Sequence, residues 1–227
     1  IAVAEYFRDQ GKDVLFMMDS VTRLAQAQRE IGLAAGEPPT TKGYCPSVFS
    51  LLPRLTERLG SAETGSITGM ITVLVEADDM NDPVADCMRS LLDGHVVLSR
   101  RLAELGHHPA VDILQSISRL MGACTTPAHY QAAQKLRAIY ATYQGAEDLI
   151  NIGAFKSGAN PRIDTAVSLI DRVNAFLVQP LGSRSTMEET VRRLREITQS
   201  WDYLMPTDDE GTAPGPATDA ATRSDAT

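Results

Sequence analysis

One acidic side chain lies where a sheet could use it for chemistry. Residues 14–18 form an unbroken apolar run, which is typical of a strand buried on both faces of a parallel sheet, and the run ends at Asp19. Ligands of open α/β sheets bind at the carboxyl ends of the strands, where a carboxylate can hold magnesium through water. An apolar strand must also end in some polar residue, so the residues alone leave both the catalytic and the purely structural interpretation of Asp19 open.

Other groups that could do chemistry have no supporting pattern. His107 and His108 are adjacent, but no third ligand has the spacing of a zinc site. The three cysteines, Cys45, Cys87 and Cys124, are widely separated and odd in number, which is typical of cytosolic thiols rather than of a disulfide framework. The sequence also contains no G-x-x-x-x-G-K-[ST] loop, whose backbone amides cradle phosphates.

The elements that must position Asp19 alternate between helix and strand. This alternation predicts an α/β fold with a parallel sheet in residues 1–125. Residues 126–205 contain only helical patterns and predict a separate α-helical subdomain, whose last helix has Ser185 and Glu188 at capping-box spacing. Residues 206–227 hold almost no large apolar side chains and predict a disordered acidic tail. The predicted helices cover about 1–7, 21–31, 47–59, 83–92, 128–143, 162–178 and 187–201, and the predicted strands 14–18, 67–75 and 95–98.

Charge and hydropathy disfavour several classes of protein. The formal net charge of −8 argues against a nucleic-acid-binding protein. No apolar run approaches the roughly 20 residues that a membrane-spanning helix needs, and no signal-type segment opens the chain. Ile1 stands within an amphipathic helical pattern, so we expect the chain to be a fragment.

Three segments together resemble one known family. The run DVLFMMDSVTRLAQAQREIGLAAGEPPTTKGY is similar to the second nucleotide motif of the rotary ATP synthase superfamily, and most closely to its flagellar and type III export ATPases. GSITGMITVLVEADDMNDPVADCMRSLLDGHVVLSRRLAELGHHPAVDILQSISRLM continues the resemblance, and INIGAFKSGANPRID is typical of flagellar members. The match covers about residues 1–205. It implies the C-terminal part of a RecA-like core, without its phosphate-binding loop, followed by the family's helical domain.

The resemblance assigns roles to five residues. Asp19 matches the magnesium-associated carboxylate, and Arg23, one helical turn later, matches an arginine that orders the phosphate site, although a surface ion pair explains Arg23 equally well. Arg119 in SISRLM matches the arginine finger that reaches the neighbouring subunit's nucleotide. His108 replaces an aromatic residue that packs on adenine, and Phe176 in FLVQP resembles a residue that closes the adenine pocket, with helical core packing as its alternative.

The acidic segment at Glu76, Asp78 and Asp79 is given no catalytic role by the resemblance. Relatives place their catalytic carboxylate upstream of this region, so these three acids are expected to shape a loop between subunits.

The resemblance implies ATP hydrolysis with Mg²⁺ in a homo-hexameric ring that drives flagellar protein export, with the fragment alone inactive. The implied partners are the export gate, a coiled-coil stalk protein, a regulator, and export chaperones with their substrates. The implied location is the cytoplasm at the inner-membrane face of the export apparatus, with peripheral membrane association compatible with it and nucleic acid not expected.

Three alternatives stay open at this point. An injectisome secretion ATPase shares nearly all the motifs. A non-catalytic ring subunit would bind nucleotide structurally and supply only the arginine to a neighbour. An RNA-translocating hexameric terminator also resembles DSVTRL, but the PAVD and SISRLM segments and the acidic charge argue against it.

Overall fold

The computed structural model describes residues 1–201 of the 227-residue chain. The chain divides after Cys124 into two compact units. The segment predicted to be a disordered tail, 206–227, lies outside the described residues.

The first unit alternates helices and strands, as predicted. Most boundaries agree with the sequence patterns within a few residues, and the strand predicted to reach residue 75 ends earlier, at Ile71. The helices are α1 (Ala2–Arg8), α2 (Val21–Ala34), α3 (Pro46–Thr56), α4 (Pro83–Leu91), α5 (Arg100–Glu104) and α6 (Met121–Cys124), and the strands are β1 (Asp13–Met18), β2 (Gly60–Ser61), β3 (Ser66–Ile71), β4 (Gly94–Leu98) and β5 (Val111–Ser118).

The sheet that carries Asp19 has the order β1-β3-β2. Strand β1 pairs in parallel with β3, from Asp13 opposite Ser66 to Met18 opposite Ile71. The expectation that β1 is buried on both faces is wrong, because Leu15 is 60% exposed and Met17 72% exposed. Side chains alternate along a strand, and in this chain only the face that includes Met18 packs against the buried core cluster.

A second sheet pairs β4 with β5 in antiparallel orientation. The sequence patterns predicted β4 but not β5, and they predicted parallel pairing throughout, which is wrong for this pair. The α/β class is confirmed, with a mixed rather than uniformly parallel arrangement of strands.

Helices α2, α3 and α4 form the core that supports the first sheet. Their apolar positions recur at helical spacing, so each helix turns one face inward. Burying each such side chain contributes about 1.5–3 kcal/mol of transfer free energy before entropy costs are counted. The cluster consists of Val21, Ala25, Tyr44, Val48, Leu52, Val84 and Met88.

The loop 36–46 is held in one shape by polar contacts. The Thr40 hydroxyl donates to the carbonyl oxygen of Tyr44 over 2.6 Å. The carboxylate of Glu37 accepts a hydrogen bond from the amide of Ser47, 3.1 Å away, in the first turn of α3. This caps an amide that the helix itself leaves without a partner, so the loop and α3 support each other.

The described part of the second unit consists of three helices, α7 (Pro127–Asn151), α8 (Pro161–Leu177) and α9 (Met187–Thr198). Helix α7 runs eight residues beyond its predicted end at Tyr143, and Ala146 in that extension is buried. Thr186 caps α9 by accepting from the Glu189 amide, so the capping pair lies one residue after the predicted Ser185 and Glu188. Buried side chains of this unit include Leu136, Ile139, Leu169, Val173, Leu194, Ile197 and, after α9, Trp201.

Candidate functional site

Asp19 follows β1 directly and lies at the carboxyl end of this parallel strand, as predicted. The hydroxyl oxygen of Thr72 lies 3.0 Å from Asp19 Oδ1 and 2.9 Å from the carbonyl oxygen of Met18, so its single proton is shared between two acceptors. The peptide bond between Asp19 and Ser20 is cis. The carboxylate is exposed at the rim of the sheet and is oriented by the next strand along.

The backbone on both sides of Asp19 is also attached to the chain that leaves β3. The Thr72 amide donates to the Met18 carbonyl over 2.9 Å, and the Val21 amide donates to the Thr72 carbonyl over 3.0 Å. The buried hydroxyl of Thr22 then accepts from the Leu74 amide at 2.8 Å and donates to the Leu74 carbonyl at 3.2 Å. Six hydrogen bonds therefore hold the turn that presents Asp19 against the chain that leaves β3.

Arg23 lies in the first turn of α2 and is exposed. Ser20 caps this helix, and its hydroxyl accepts from the Arg23 amide over 3.4 Å. The same short segment therefore places Asp19 before the helix and Arg23 inside its first turn. The positive end of the helix dipole and a guanidinium at this rim both favour an anion.

Arg119 directly follows β5, which is a strand of the second sheet. Its amide donates to the Asp93 carbonyl over 2.8 Å, while its side-chain Nη2 lies 3.3 Å from Asp93 Oδ1. Gly94 makes this approach possible, because a Cβ atom there would lie 2.5 Å from the carbonyl oxygen of Ile117 and 3.1 Å from Ser118 Cα. The backbone of Arg119 is thus fixed, whereas its side chain is 57% exposed.

The two residues predicted to contact adenine are found in different surroundings. His108 is exposed and precedes β5, and its bond to Pro109 is cis. Phe176 is half-buried near the end of α8, where the guanidinium carbon of Arg193 lies 5.7 Å from the ring centroid. Phe176 therefore contacts α9 through Arg193, and part of its ring remains accessible.

The acidic segment 76–82 is attached to the loop 36–46 through Lys42. Lys42 Nζ lies 2.6 Å from Asp79 Oδ2 and 3.7 Å from Asp82 Oδ2. The hydrogen bond from Lys42 lowers the pKa of the Asp79 carboxyl, and the same bond raises the pKa of Lys42. Residue 42 has φ of 50°, a left-handed conformation that costs free energy in a non-glycine residue. Asp79 and Asp82 therefore join this segment to the loop 36–46 within the chain, and the expected place of the acids between subunits stays a prediction.

Sequence reasoning missed Thr72, Asp93 and Lys42 as contributors to these sites. Thr72 and Asp93 have weak signals in the sequence, because Thr72 is a polar residue within an apolar run and Asp93 forms an Asp-Gly pair at the start of β4. Their partners depend on strand register, which the sequence does not state.

Residues 1–201 contain neither a cluster of metal-ligating side chains nor a helix that could span a membrane. No group of three or more His, Cys, Asp or Glu side chains in this part of the chain is placed to hold a metal ion. None of the helices described is both long and apolar enough to cross a bilayer.

Comparison with protein families matches nearly all of the described chain. Residues 1–118 match the ATP synthase alpha/beta family, nucleotide-binding domain. Residues 125–196 match the T3SS EscN ATPase C-terminal domain. The two matches meet close to the division between the two structural units.

Individual relatives carry the same two parts. The chain is 56% identical over 197 residues to a flagellum-specific ATP synthase of Bacillus subtilis, covering 87% of this chain and 45% of the relative. It is 52% identical to a type 3 secretion system ATPase of Pseudomonas syringae pv. syringae, covering 87% of this chain and 44% of that protein. The chain therefore spans less than half the length of the curated relatives that it matches.

Solved structures agree with the fold. The assembled ATPase EscN from the type III secretion system of enteropathogenic E. coli matches with a TM-score of 0.85 at 49% identity, over 87% of this chain and 48% of that one. EscN in complex with its central stalk EscO matches with a TM-score of 0.79 at 47% identity, over 87% of this chain and 47% of that one. The chain belongs to the ATP synthase alpha/beta family and joins part of its nucleotide-binding domain to a type III secretion ATPase C-terminal domain.

Proposed function

We propose that this chain is part of an ATPase that powers type III protein export, with flagellar export as the first choice. One observation carries the proposal: a nucleotide-binding domain of the ATP synthase type is followed directly by a C-terminal domain of the type III secretion type. The first domain supplies nucleotide chemistry, and the second distinguishes export ATPases from other members of the superfamily. ATP is the proposed substrate.

Asp19 is the proposed magnesium-associated carboxylate. Mg²⁺ in nucleotide enzymes keeps several waters and uses one or two carboxylates together with the substrate phosphates, so a lone exposed carboxylate at a strand end fits the ion. Its hard oxygen atoms are the preferred donor type. The ion would neutralise charge on the phosphates, and Arg23 at the N-terminus of α2 would add positive charge at the same rim.

Arg119 is the proposed arginine finger, acting on the nucleotide of a neighbouring subunit in a homo-hexameric ring. Its fixed backbone and exposed side chain suit a group that must reach outward. A planar guanidinium can bond two oxygens of the transferring phosphoryl group at once, which an ammonium group does less well. His108 is proposed to stack on adenine, with Phe176 as a second contact.

The proposed partners follow the family. A coiled-coil stalk is favoured by the EscN complex with its central stalk, and the export gate, a regulator and chaperones with their substrates are further proposals. We place the protein in the cytoplasm at the inner-membrane face of the export apparatus. Identity of 52% to an injectisome-type ATPase, against 56% to a flagellar one, keeps injectisome secretion as the second candidate.

The test uses the full-length protein that contains this chain. Binding of a fluorescent ATP analogue is titrated with Mg²⁺ in the wild type and in Asp19→Asn, and ATP turnover is measured in parallel. Magnesium should tighten nucleotide binding in the wild type, and Asp19→Asn should lose most of that effect. An unchanged magnesium effect in Asp19→Asn contradicts the assignment of Asp19, and absence of turnover in wild-type rings favours a non-catalytic subunit.

Deletion of the gene distinguishes flagellar export from injectisome secretion as the function of the protein. Loss of flagellar assembly in the organism that encodes the protein supports the first choice. Normal flagella with loss of effector secretion supports the injectisome.

A further inference from the structure

The chain that leaves β3 runs beside the turn that presents Asp19, and Thr72 contacts that turn in four ways. The Thr72 amide donates to the Met18 carbonyl, and the Thr72 carbonyl accepts from the Val21 amide. The hydroxyl lies 2.9 Å from the Met18 carbonyl oxygen and 3.0 Å from Asp19 Oδ1. The two backbone bonds enclose the turn, and the hydroxyl acts on its functional side chain.

We infer that Thr72 is a positioning residue, which holds the Asp19 carboxylate in the orientation that the nucleotide-bound magnesium requires. This inference rests on the proposed role of Asp19. A carboxylate on an exposed strand end otherwise samples several rotamers, and only part of this population would suit an ion held by one of its oxygens. The Thr72 hydroxyl, 3.0 Å from Oδ1, favours one orientation of the carboxylate.

Thr72 also connects Asp19 to the acidic segment. Two residues later Leu74 is bonded twice to the Thr22 side chain, and the segment 76–82 begins directly afterwards. The chain that carries Thr72 therefore continues directly into the segment that Lys42 joins to the loop 36–46.

Substitution of valine for Thr72 isolates the hydroxyl. Valine keeps the β-branched shape, and the backbone bonds to Met18 and Val21 do not involve the side chain. Thr72→Ser retains the hydroxyl and is the rescue variant. Thr68→Val is the matched control. Thr68 is an exposed threonine in β3 that pairs with Leu15, away from Asp19.

The measurement is magnesium-dependent binding of a fluorescent ATP analogue to the full-length protein, with turnover as a second readout. Thr72→Val should raise the magnesium concentration for half-maximal effect by about tenfold, the usual consequence of losing a hydrogen bond to a charged group. In Thr72→Ser and Thr68→Val this magnesium concentration should stay within about twofold of the wild-type value. Combining Thr72→Val with Asp19→Asn should give little more than the effect of Asp19→Asn alone, because both substitutions act on the same side chain. Binding without magnesium should be unchanged throughout.

Three outcomes overturn the inference. If Thr72→Val keeps the wild-type magnesium dependence and Asp19→Asn loses it, Thr72 does not position Asp19, and the proposed role of Asp19 stands. Equal defects in Thr72→Val and Thr72→Ser point to packing instead of hydrogen bonding. Wild-type magnesium dependence in Asp19→Asn removes the role of Asp19 itself, and the positioning role falls with it.

Discussion

The two charged side chains at the centre of the proposed chemistry are held in opposite ways. Asp19 follows a strand whose neighbour supplies both a hydroxyl group and backbone bonds, so its turn is fixed on each side. Arg119 has a fixed backbone, but its side chain meets Asp93 at 3.3 Å between groups that are 57% and 73% exposed. A carboxylate that orients a metal gains from preorganisation, whereas an arginine that must reach a neighbouring subunit needs freedom of movement.

The largest expected effect comes from removing the exposed guanidinium of Arg119. Arg119→Ala in the full-length protein should lower ATP turnover by about a thousandfold or more, as loss of an arginine finger does, because the transferring phosphoryl group loses its stabilising charge. Nucleotide binding should change little. Turnover and analogue binding are both measured on assembled rings.

Arg101→Ala is the matched control for that experiment. Arg101 is an exposed arginine in α5 of the same unit, and its loss should leave turnover near the wild-type value. Wild-type turnover in assembled Arg119→Ala rings would remove Arg119 from the catalytic machinery.

Alanine substitutions of two glycines test how closely each sheet is packed at that position, with the free energy of unfolding as the measure. A Cβ at Gly94 would meet the Ile117 carbonyl oxygen and Ser118 Cα, which are backbone atoms, so β4 and β5 must separate. A Cβ at Gly69 in β3 would meet Leu59 Cδ1 at 2.5 Å, the end of a flexible side chain that can turn away. Gly94→Ala should therefore lower the free energy of unfolding by about 1–3 kcal/mol, and Gly69→Ala by less.

Urea unfolding of both variants provides the measurement, with Gly145→Ala as a reference. Gly145 lies within α7 with nothing within 4 Å of an added Cβ, so alanine there should be neutral or stabilising. Equal losses in Gly94→Ala and Gly69→Ala would show that the close approach at Gly94 can relax.

The position of Asp19 could be predicted from sequence because the signal is local. An apolar run followed by an acid places the carboxylate at the end of a strand, whatever that strand pairs with. The orientation of the carboxylate could not be predicted, since Thr72 is its donor only when β1 and β3 pair in the observed register. Asp93 and Arg119 likewise meet only because β4 and β5 form an antiparallel pair.

The errors in predicting the fold have similar causes. Strand β5 contains Asp, Gln and Ser among its apolar residues, so its sequence lacks clean alternation. Burial of Leu15 and Met17 was inferred from hydrophobicity, which does not show what covers a face. The sequence pattern predicted that α7 ends at Tyr143, shortly before Gly145. The helix continues past this glycine, and Ala146 beyond it is buried.

The smallest expected effect concerns the ion pair that joins the acidic segment to the loop 36–46. Lys42→Met should destabilise the protein slightly near neutral pH, because exposed ion pairs contribute little. Lys42 lowers the folded-state pKa of Asp79. The contribution of this ion pair to the free energy of unfolding is therefore fully present above the ordinary carboxyl pKa of about 4, and it is lost as pH falls through the lower folded-state pKa. The pKa of Lys42 is raised, so the contribution persists until pH exceeds its raised value.

Urea unfolding of the wild type and Lys42→Met at a series of pH values measures this contribution. The two free energies of unfolding should differ near neutral pH and converge in acid, once Asp79 is protonated. Lys12→Met removes an exposed lysine that precedes β1, and its difference from the wild type should not follow the same acid transition. A difference that persists below the acid transition would mean that Lys42 acts through its left-handed backbone or its aliphatic stem, and that the segment 76–82 is held by contacts other than charge.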